Sequence, residues 1–427
     1  MSRPQLTIGF VRLSDAAPLA AAMARGTFQA QGLDVALKRF TSWAAMRDAL
    51  GTGAITAAHM LSPMVVASAA GLGPFPGAFT TGITMNLNGN AITVSTSLFE
   101  RMQASAPGHM QQMPLPASAL KTVINTRRDA SEPPLVFAHV FPHSMHAYEL
   151  RYWLGAAGID PDQDVQLVVI PPSQMVNALT RGEIDGYCVG EPWNCAAVTS
   201  GVGRTVITSS EIWSNSPEKV LAVRTDWAER HAATHMALIG AVLEAAAWID
   251  RPENRVRAAE MVAAADMINV PLEEVLGSLT GKNRQTGGRL RVDIPDFNVF
   301  HRYAANFPWR SHAKWILSQM IRWGDAPENV DIAAISEAAF RPDIYRNAAA
   351  ELGIACPNRD EKVEGAHSHA WLMMDATAPI AFGPDRFLDG RVFDPEQVLS
   401  YVRSFQIRHT GDTRISVSDR AQAFTRA

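Results

Sequence analysis

Residues 186–196 read GYCVGEPWNCA. Tyr187, Cys188 and Val189 make a short apolar run closed by Gly190, the pattern of a buried strand. Glu191, Pro192 and Trp193 follow at once and predict a helix start. Proline is at home in a first helical turn, where its missing N–H has no partner, and an acidic residue suits the positive end of the helix dipole. A strand handing over directly to a helix is the unit of an open α/β sheet, whose ligands bind beyond the carboxyl ends of the strands.

Upstream, the same order occurs twice. APLAAAMARGTFQAQG (17–32) predicts a helix ended by Gly32, LDVALKRF a strand, SWAAMRDALGTG a helix capped by Ser42, and ITAAHM another strand. Later, HAYELRYWLGAAG, DVQLVVI, SQMVNALTRG and IDGYCVG repeat helix, strand, helix, strand. A shift of 129 positions superposes Met46, Ala49, Leu50, Gly53, Ile55 and Pro63 on Met175, Ala178, Leu179, Gly182, Ile184 and Pro192. LSPM at 61–64 becomes the counterpart of GEPW. Two such halves imply two α/β lobes, each with a Pro-started helix aimed into the space between them, an arrangement suited to trapping an anion.

The 427 residues exceed the size at which one core keeps growing, which also favours two lobes. At 47% hydrophobic and 19% charged the chain is of ordinary globular composition, and a net charge of -4 without a basic block gives no nucleic-acid or membrane footprint. Residues 1–90 are expected to open lobe I and 91–215 to form lobe II. Residues 216–340, largely helical in pattern, return to complete lobe I, and the loop-rich 341–427 forms an extension wrapping a lobe.

MSRPQLTIGFVRL enters strand-like alternation at once, with no apolar core or cleavage site of a secretion signal, so a cytoplasmic location is expected. The apolar stretch MALIGAVLEAAAWI (236–249) holds Glu244 and is shorter than the roughly 18 residues of a spanning helix; it reads as an amphipathic core helix. Cys188, Cys195 and Cys356 show neither disulfide nor metal spacing, as in a reducing compartment. No G-x-S-x-G, Walker loop, HExxH or paired-Cys metal signature occurs, so an enzyme is not expected, and no cofactor is implied. Cys188, on a buried strand, reads as packing rather than as a nucleophile.

TSWAAMRDAL, AAHMLSPM, NLNGNAITVS, MHAYELRYWLGAAGID, IPPSQMVNAL, GYCVGEPW, PEKVLAV and DGRVFDPE together resemble the nitrate- and bicarbonate-binding proteins of bacterial ABC importers, over residues 5–408. The resemblance implies a two-lobed type II periplasmic-binding-protein fold with the ligand in the cleft. The apparent lack of a leader resembles the cytoplasmic nitrate and nitrite sensors, which restrain a response-regulator-like RNA-binding antiterminator until the anion arrives. The importer's substrate-binding protein is the alternative.

By the same resemblance the anion site falls on Trp43, Asn90, His146, Gly190 and Lys219. Nitrate is planar, singly charged and accepts hydrogen bonds only. Trp43 offers an indole N–H or a flat wall, Asn90 an amide donor where the family often has Gln, and His146 a ring N–H. Gly190 lets backbone approach closely, having no Cβ. Lys219 supplies the counter-charge; bicarbonate-binding relatives place an acidic residue there and recruit calcium, so a Lys favours nitrate or nitrite. His139, His143 and His146 stand at metal-like spacing, but Pro142 breaks the helical face such a site needs, and no metal is expected.

Overall fold

The computed structural model describes residues 4–409. Its strands run β1 (Gln5–Val11), β2 (Asp34–Phe40), β3 (Ala57–Leu61), β4 (Phe79–Thr84), β5 (Leu87–Asn88), β6 (Asn90–Ser95), β7 (Leu135–His139), β8 (Val165–Val169), β9 (Gly186–Gly190), β10 (Gly203–Thr208) and β11 (Lys219–Arg224). Two five-stranded sheets result, in the orders β2-β1-β3-β11-β4 and β10-β6-β9-β7-β8. In each, three parallel strands continue into an antiparallel strand supplied by chain that has crossed from the other lobe: β11 lies against β3, and β6 against β9.

The duplication extends through the whole βαβαβ unit. Moved by 129 positions, β3 lands on β9 residue for residue. β1 and β2 overlie β7 and β8, and helix Ala17–Arg25 falls within Met145–Ala156. Both central strands are buried along their length, which is why each reads as a continuous apolar run rather than an alternation.

Three local features differ from the sequence reading. The helix expected over 17–32 is broken at Gly26, whose left-handed φ of 73° ends Ala17–Arg25 before Thr27–Ala30 resumes. Pro192 sits just before helix Trp193–Thr199 instead of inside its first turn. The apolar helix begins earlier than expected, Ala232–Ile249, and at 18 residues is long and apolar enough to cross a membrane by length and composition alone. It packs here beside helix Ala17–Arg25, with Leu238, Ile239, Val242, Leu243 and Ile249 in the core of the first lobe.

The C-terminal stretch bonds to both lobes. Arg341 N–H reaches Thr81 O at 2.9 Å in the first, while Trp213 Nε1 donates to Asp385 at 3.1 Å and Tyr152 Oη to Asp389 at 2.8 Å in the second. Residues 410–427 lie outside the described residues. The buried Arg322 anchors the stretch: its guanidinium lies 3.6 Å from the Phe405 ring centre and 4.2 Å from that of Trp323, and its Nε donates to Ile407 O at 3.1 Å. The lobes meet directly as well, Ser14 N–H donating to Glu191 O at 2.7 Å and Trp193 Nε1 to Arg12 O at 3.2 Å.

Candidate functional site

Lys219 and Asn90 hold matching places in the two lobes. Lys219 opens β11 and pairs with Leu61 at the end of β3; Asn90 opens β6 and pairs with Gly190 at the end of β9. Positions 61 and 190 are themselves 129 apart, so the duplication carries both side chains to the carboxyl ends of the parallel strands, where such sheets bind ligands. His146 sits in the first turn of helix Met145–Ala156, started by Ser144, whose Oγ accepts from Ala147 N–H. Trp43 opens helix Trp43–Gly51 behind the matching cap, Ser42.

The five residues belong to one buried polar cluster. Lys219 is fully buried rather than a surface lysine; its Nζ lies 5.4 Å from the Trp43 ring centre, donates to Asp15 Oδ2 at 2.7 Å and also bonds Glu218 Oε1. Asn90 Nδ2 donates to Glu149 Oε2 at 3.1 Å and Glu218 Oε2 at 2.8 Å. A Cβ on Gly190 would stand 3.3 Å from Asn90 Oδ1 and 3.7 Å from Asp15 Oδ2, placing that glycine on the same wall. His146 Nε2 is 3.6 Å from Glu218 Oε1, beyond a hydrogen bond.

Several buried polar atoms here have no hydrogen-bond partner: Trp43 Nε1, both ring nitrogens of His59 and His146, Asn90 Oδ1 and Asp15 Oδ1. The closest approach between them, His59 Nε2 to Asp15 Oδ1 at 3.3 Å, is an electrostatic contact without hydrogen-bond alignment. Native interiors leave few such groups unsatisfied, so their concentration at one point marks a place built to hold something polar.

Burial and the Lys219 charge keep His146 well below its ordinary pKa and therefore neutral at pH 7, with one ring N–H to donate. His59 is lowered too, chiefly by burial, against the opposing pull of Asp15. For Asp15 burial opposes ionisation, yet the Lys219 ammonium and His59 override it and hold the carboxyl well below the usual range.

Asp15, His59, Glu149 and Glu218 were not singled out from the sequence. Each had a signal: Asp15 follows the end of β1, His59 interrupts an otherwise apolar strand, Glu149 lies one helical turn beyond His146, and Glu218 adjoins Lys219.

The two helix ends do not form the expected trap. Glu191 Oε2 accepts from Cys195 N–H at 3.0 Å, so the side chain two residues before helix Trp193–Thr199 takes a donor of its first turn, and Ser62 N–H at the start of helix Ser62–Ala69 donates to Glu218 O at 3.0 Å. Side chains supply the charges instead. The histidines 139, 143 and 146 also separate: His139 Nδ1 lies 3.1 Å from Phe141 O, His143 lines a different cavity, and only His146 joins the cluster. That cavity, about 740 Å³, is open and largely apolar, between Met64, Leu72, Phe75 and Phe79 of the first lobe and Phe141 and Val169 of the second. It holds none of the five residues, and the unpartnered polar atoms lie in the enclosed cluster instead.

Among the described residues, Asp160, Asp162 and His409 bring three metal-competent groups together. Arg151 already holds Asp162 through two bonds of 2.9 and 2.7 Å, and Asp162 N–H donates to Asp160 Oδ1.

Residues 1–263 match the NMT1-like family. The chain belongs to the NMT1-like family. The nitrate/nitrite binding protein NrtA of Synechococcus elongatus is 34% identical over 415 residues, an alignment covering 94% of this chain and 86% of that protein. The nitrate import ATP-binding protein NrtC of Synechocystis is 35% identical over 417 residues, but the alignment spans only 56% of its length. This NMT1-like chain has no Walker loop, so what it shares with that protein lacks the nucleotide-binding signature. The crystal structure of the periplasmic nitrate-binding protein NrtA from Synechocystis matches with a TM-score of 0.82 at 28% identity, over 94% of this chain and 98% of that one. The fold is accordingly the two-lobed periplasmic-binding-protein type.

Proposed function

We propose that the cluster binds nitrate or nitrite between the lobes, and that the chain acts as a cytoplasmic sensor of that ion. The observation that carries the anion reading is the convergence of one buried ammonium with the partnerless donors of Trp43 and His146, from both lobes. A planar ion that only accepts hydrogen bonds matches in-plane donors beside an aromatic wall. Micromolar affinity corresponds to about 8 kcal/mol, within reach of a charge contact and several charge-assisted hydrogen bonds. Calorimetry with nitrate, nitrite and bicarbonate, with and without calcium, tests this: nitrate or nitrite binds without calcium, and binding of bicarbonate alone refutes the assignment.

An ion gripped from both lobes prefers the closed arrangement by its differential affinity, so a partner that prefers the open one is released as the ion binds. The partner we propose is a response-regulator-like RNA-binding antiterminator, held without nitrate and freed with it. Size-exclusion chromatography of the co-purified pair, with and without millimolar nitrate, reads the release. A complex indifferent to nitrate turns the assignment to the second reading, the substrate-binding component of a nitrate importer, which kinship to the nitrate import proteins supports equally.

A further inference from the structure

The cluster holds more acid than one lysine answers. Asp15, Glu149 and Glu218 are each at most 3% exposed and surround a single ammonium, Lys219. Glu149 and Glu218 share one amide, the Nδ2 of Asn90, and Glu149 Oε1 accepts a further bond from Ser216 Oγ at 2.6 Å. The remaining titratable neighbours are His59 on β3, His146 on the same helix as Glu149, and Cys188 on β9, whose Sγ lies 3.8 Å from Glu149 Oε2. Both histidines are held neutral and the thiol is pushed well up, in each case chiefly by burial.

Burial, then the charge of Glu218, pushes Glu149 up to about 8, so near neutrality it carries a proton. Burial raises Glu218 as well, against the pull of Lys219. With Lys219 and Asp15 charged, Glu149 protonated and Glu218 ionised, the enclosed cluster carries one net negative charge. A nitrate ion would make it two in a space shut off from water, which is strongly unfavourable. Protonation of Glu218 restores the original charge and releases Lys219 from one carboxylate toward the ion.

We infer that the cleft takes up its anion together with one proton, held by the carboxyl pair that Asn90 bridges, so that Glu149 and Glu218 act with Lys219 in setting which anions fit. This rests on the anion-binding reading above and deepens it. A monovalent ion needs one proton; sulfate needs a second, and the acidic wall rejects it.

Titration calorimetry of the whole chain with nitrate, in two buffers of different ionisation enthalpy at pH 7.5, gives the number of protons taken up. We expect close to one per nitrate, a Kd rising between pH 6 and 9 by up to about 10-fold per pH unit at its steepest, and no sulfate binding at comparable concentration. Glu218→Gln, which keeps the shape and removes the proton acceptor, should abolish the uptake and flatten the pH dependence; Glu149→Gln reports on the other half of the pair. Nitrate binding with no proton uptake and a flat Kd in the unsubstituted protein overturns the inference and leaves the binding reading standing. Uptake undiminished in both Gln variants also overturns it, by placing the proton on a histidine. Absence of binding by nitrate and nitrite at every pH overturns the underlying reading instead.

Discussion

Replacing Lys219 by Met removes the ammonium and keeps the length of the side chain. Lys219 Nζ bonds Asp15 Oδ2 at 2.7 Å and Glu218 Oε1, all within the buried cluster. Asp15 is then left with His59, neutral at pH 7, as its nearest polar neighbour. Breaking a buried pair by removing one partner costs about 3–5 kcal/mol, because the other charge stays buried without compensation. The pH dependence separates this from lost packing. In the unsubstituted protein the Asp15 carboxyl is depressed, so its stabilisation is present above its unfolded pKa, near 3.9, and is lost as pH falls. In Lys219→Met burial is opposed only by the weaker pull of His59 and the same carboxyl is raised, so the variant regains stability as pH falls through that raised value. The gap between the proteins should therefore narrow from pH 8 to pH 5, by at most about 1.4 kcal/mol per unit. Urea unfolding at pH 5, 6, 7 and 8 measures it. A gap below about 1 kcal/mol at pH 7, or one constant across the range, refutes the paired geometry described for Lys219 and Asp15.

Trp43→Phe removes an indole N–H that has no partner in the protein and keeps an aromatic wall; nitrate affinity should fall about 10-fold while stability drops by no more than about 2 kcal/mol, and calorimetry beside a thermal melt separates a binding donor from core packing. Gly190→Ala puts a methyl 3.3 Å from Asn90 Oδ1 and 3.7 Å from Asp15 Oδ2, so it should weaken nitrate binding with little change in far-UV circular dichroism. Arg322→Met loses the faces of Phe405 and Trp323 and the Ile407 carbonyl, together about 2–3 kcal/mol; limited proteolysis should then cut first within residues 398–409.

The duplicated lobes were legible because buried parallel strands and Ser-capped helices leave local traces, as in AAHML and GYCVG or at Ser42 and Ser144. Trp43, Asn90, His146, Gly190 and Lys219 came from the family resemblance, and the structure brings all five together. The acidic members were harder to see. Asp15 is 204 positions from Lys219 and Glu149 is 59 from Asn90, and only the folded sheets make them neighbours. The helix-end trap misled because a Pro-started helix says where a dipole points and nothing about which side chain satisfies it; here Glu191 does.

NLNGNAITVS, with Met85 before it, and SPEKVLAV are two passages by which the backbone travels between lobes, and they are bonded to one another: Asn88 N–H to Ser216 O at 2.7 Å, Met85 N–H to Lys219 O at 2.7 Å and Glu218 N–H to Asn86 O at 3.2 Å. Asn90 and Lys219 open the strands that these passages lead into, so whatever they grasp is grasped where the chain crosses between lobes. Glu191 follows Gly190 and Ser14 precedes Asp15, so the interlobe bond from Ser14 N–H to Glu191 O lies directly beside the cluster. A change of charge or shape in that cluster therefore bears on both lobes at once.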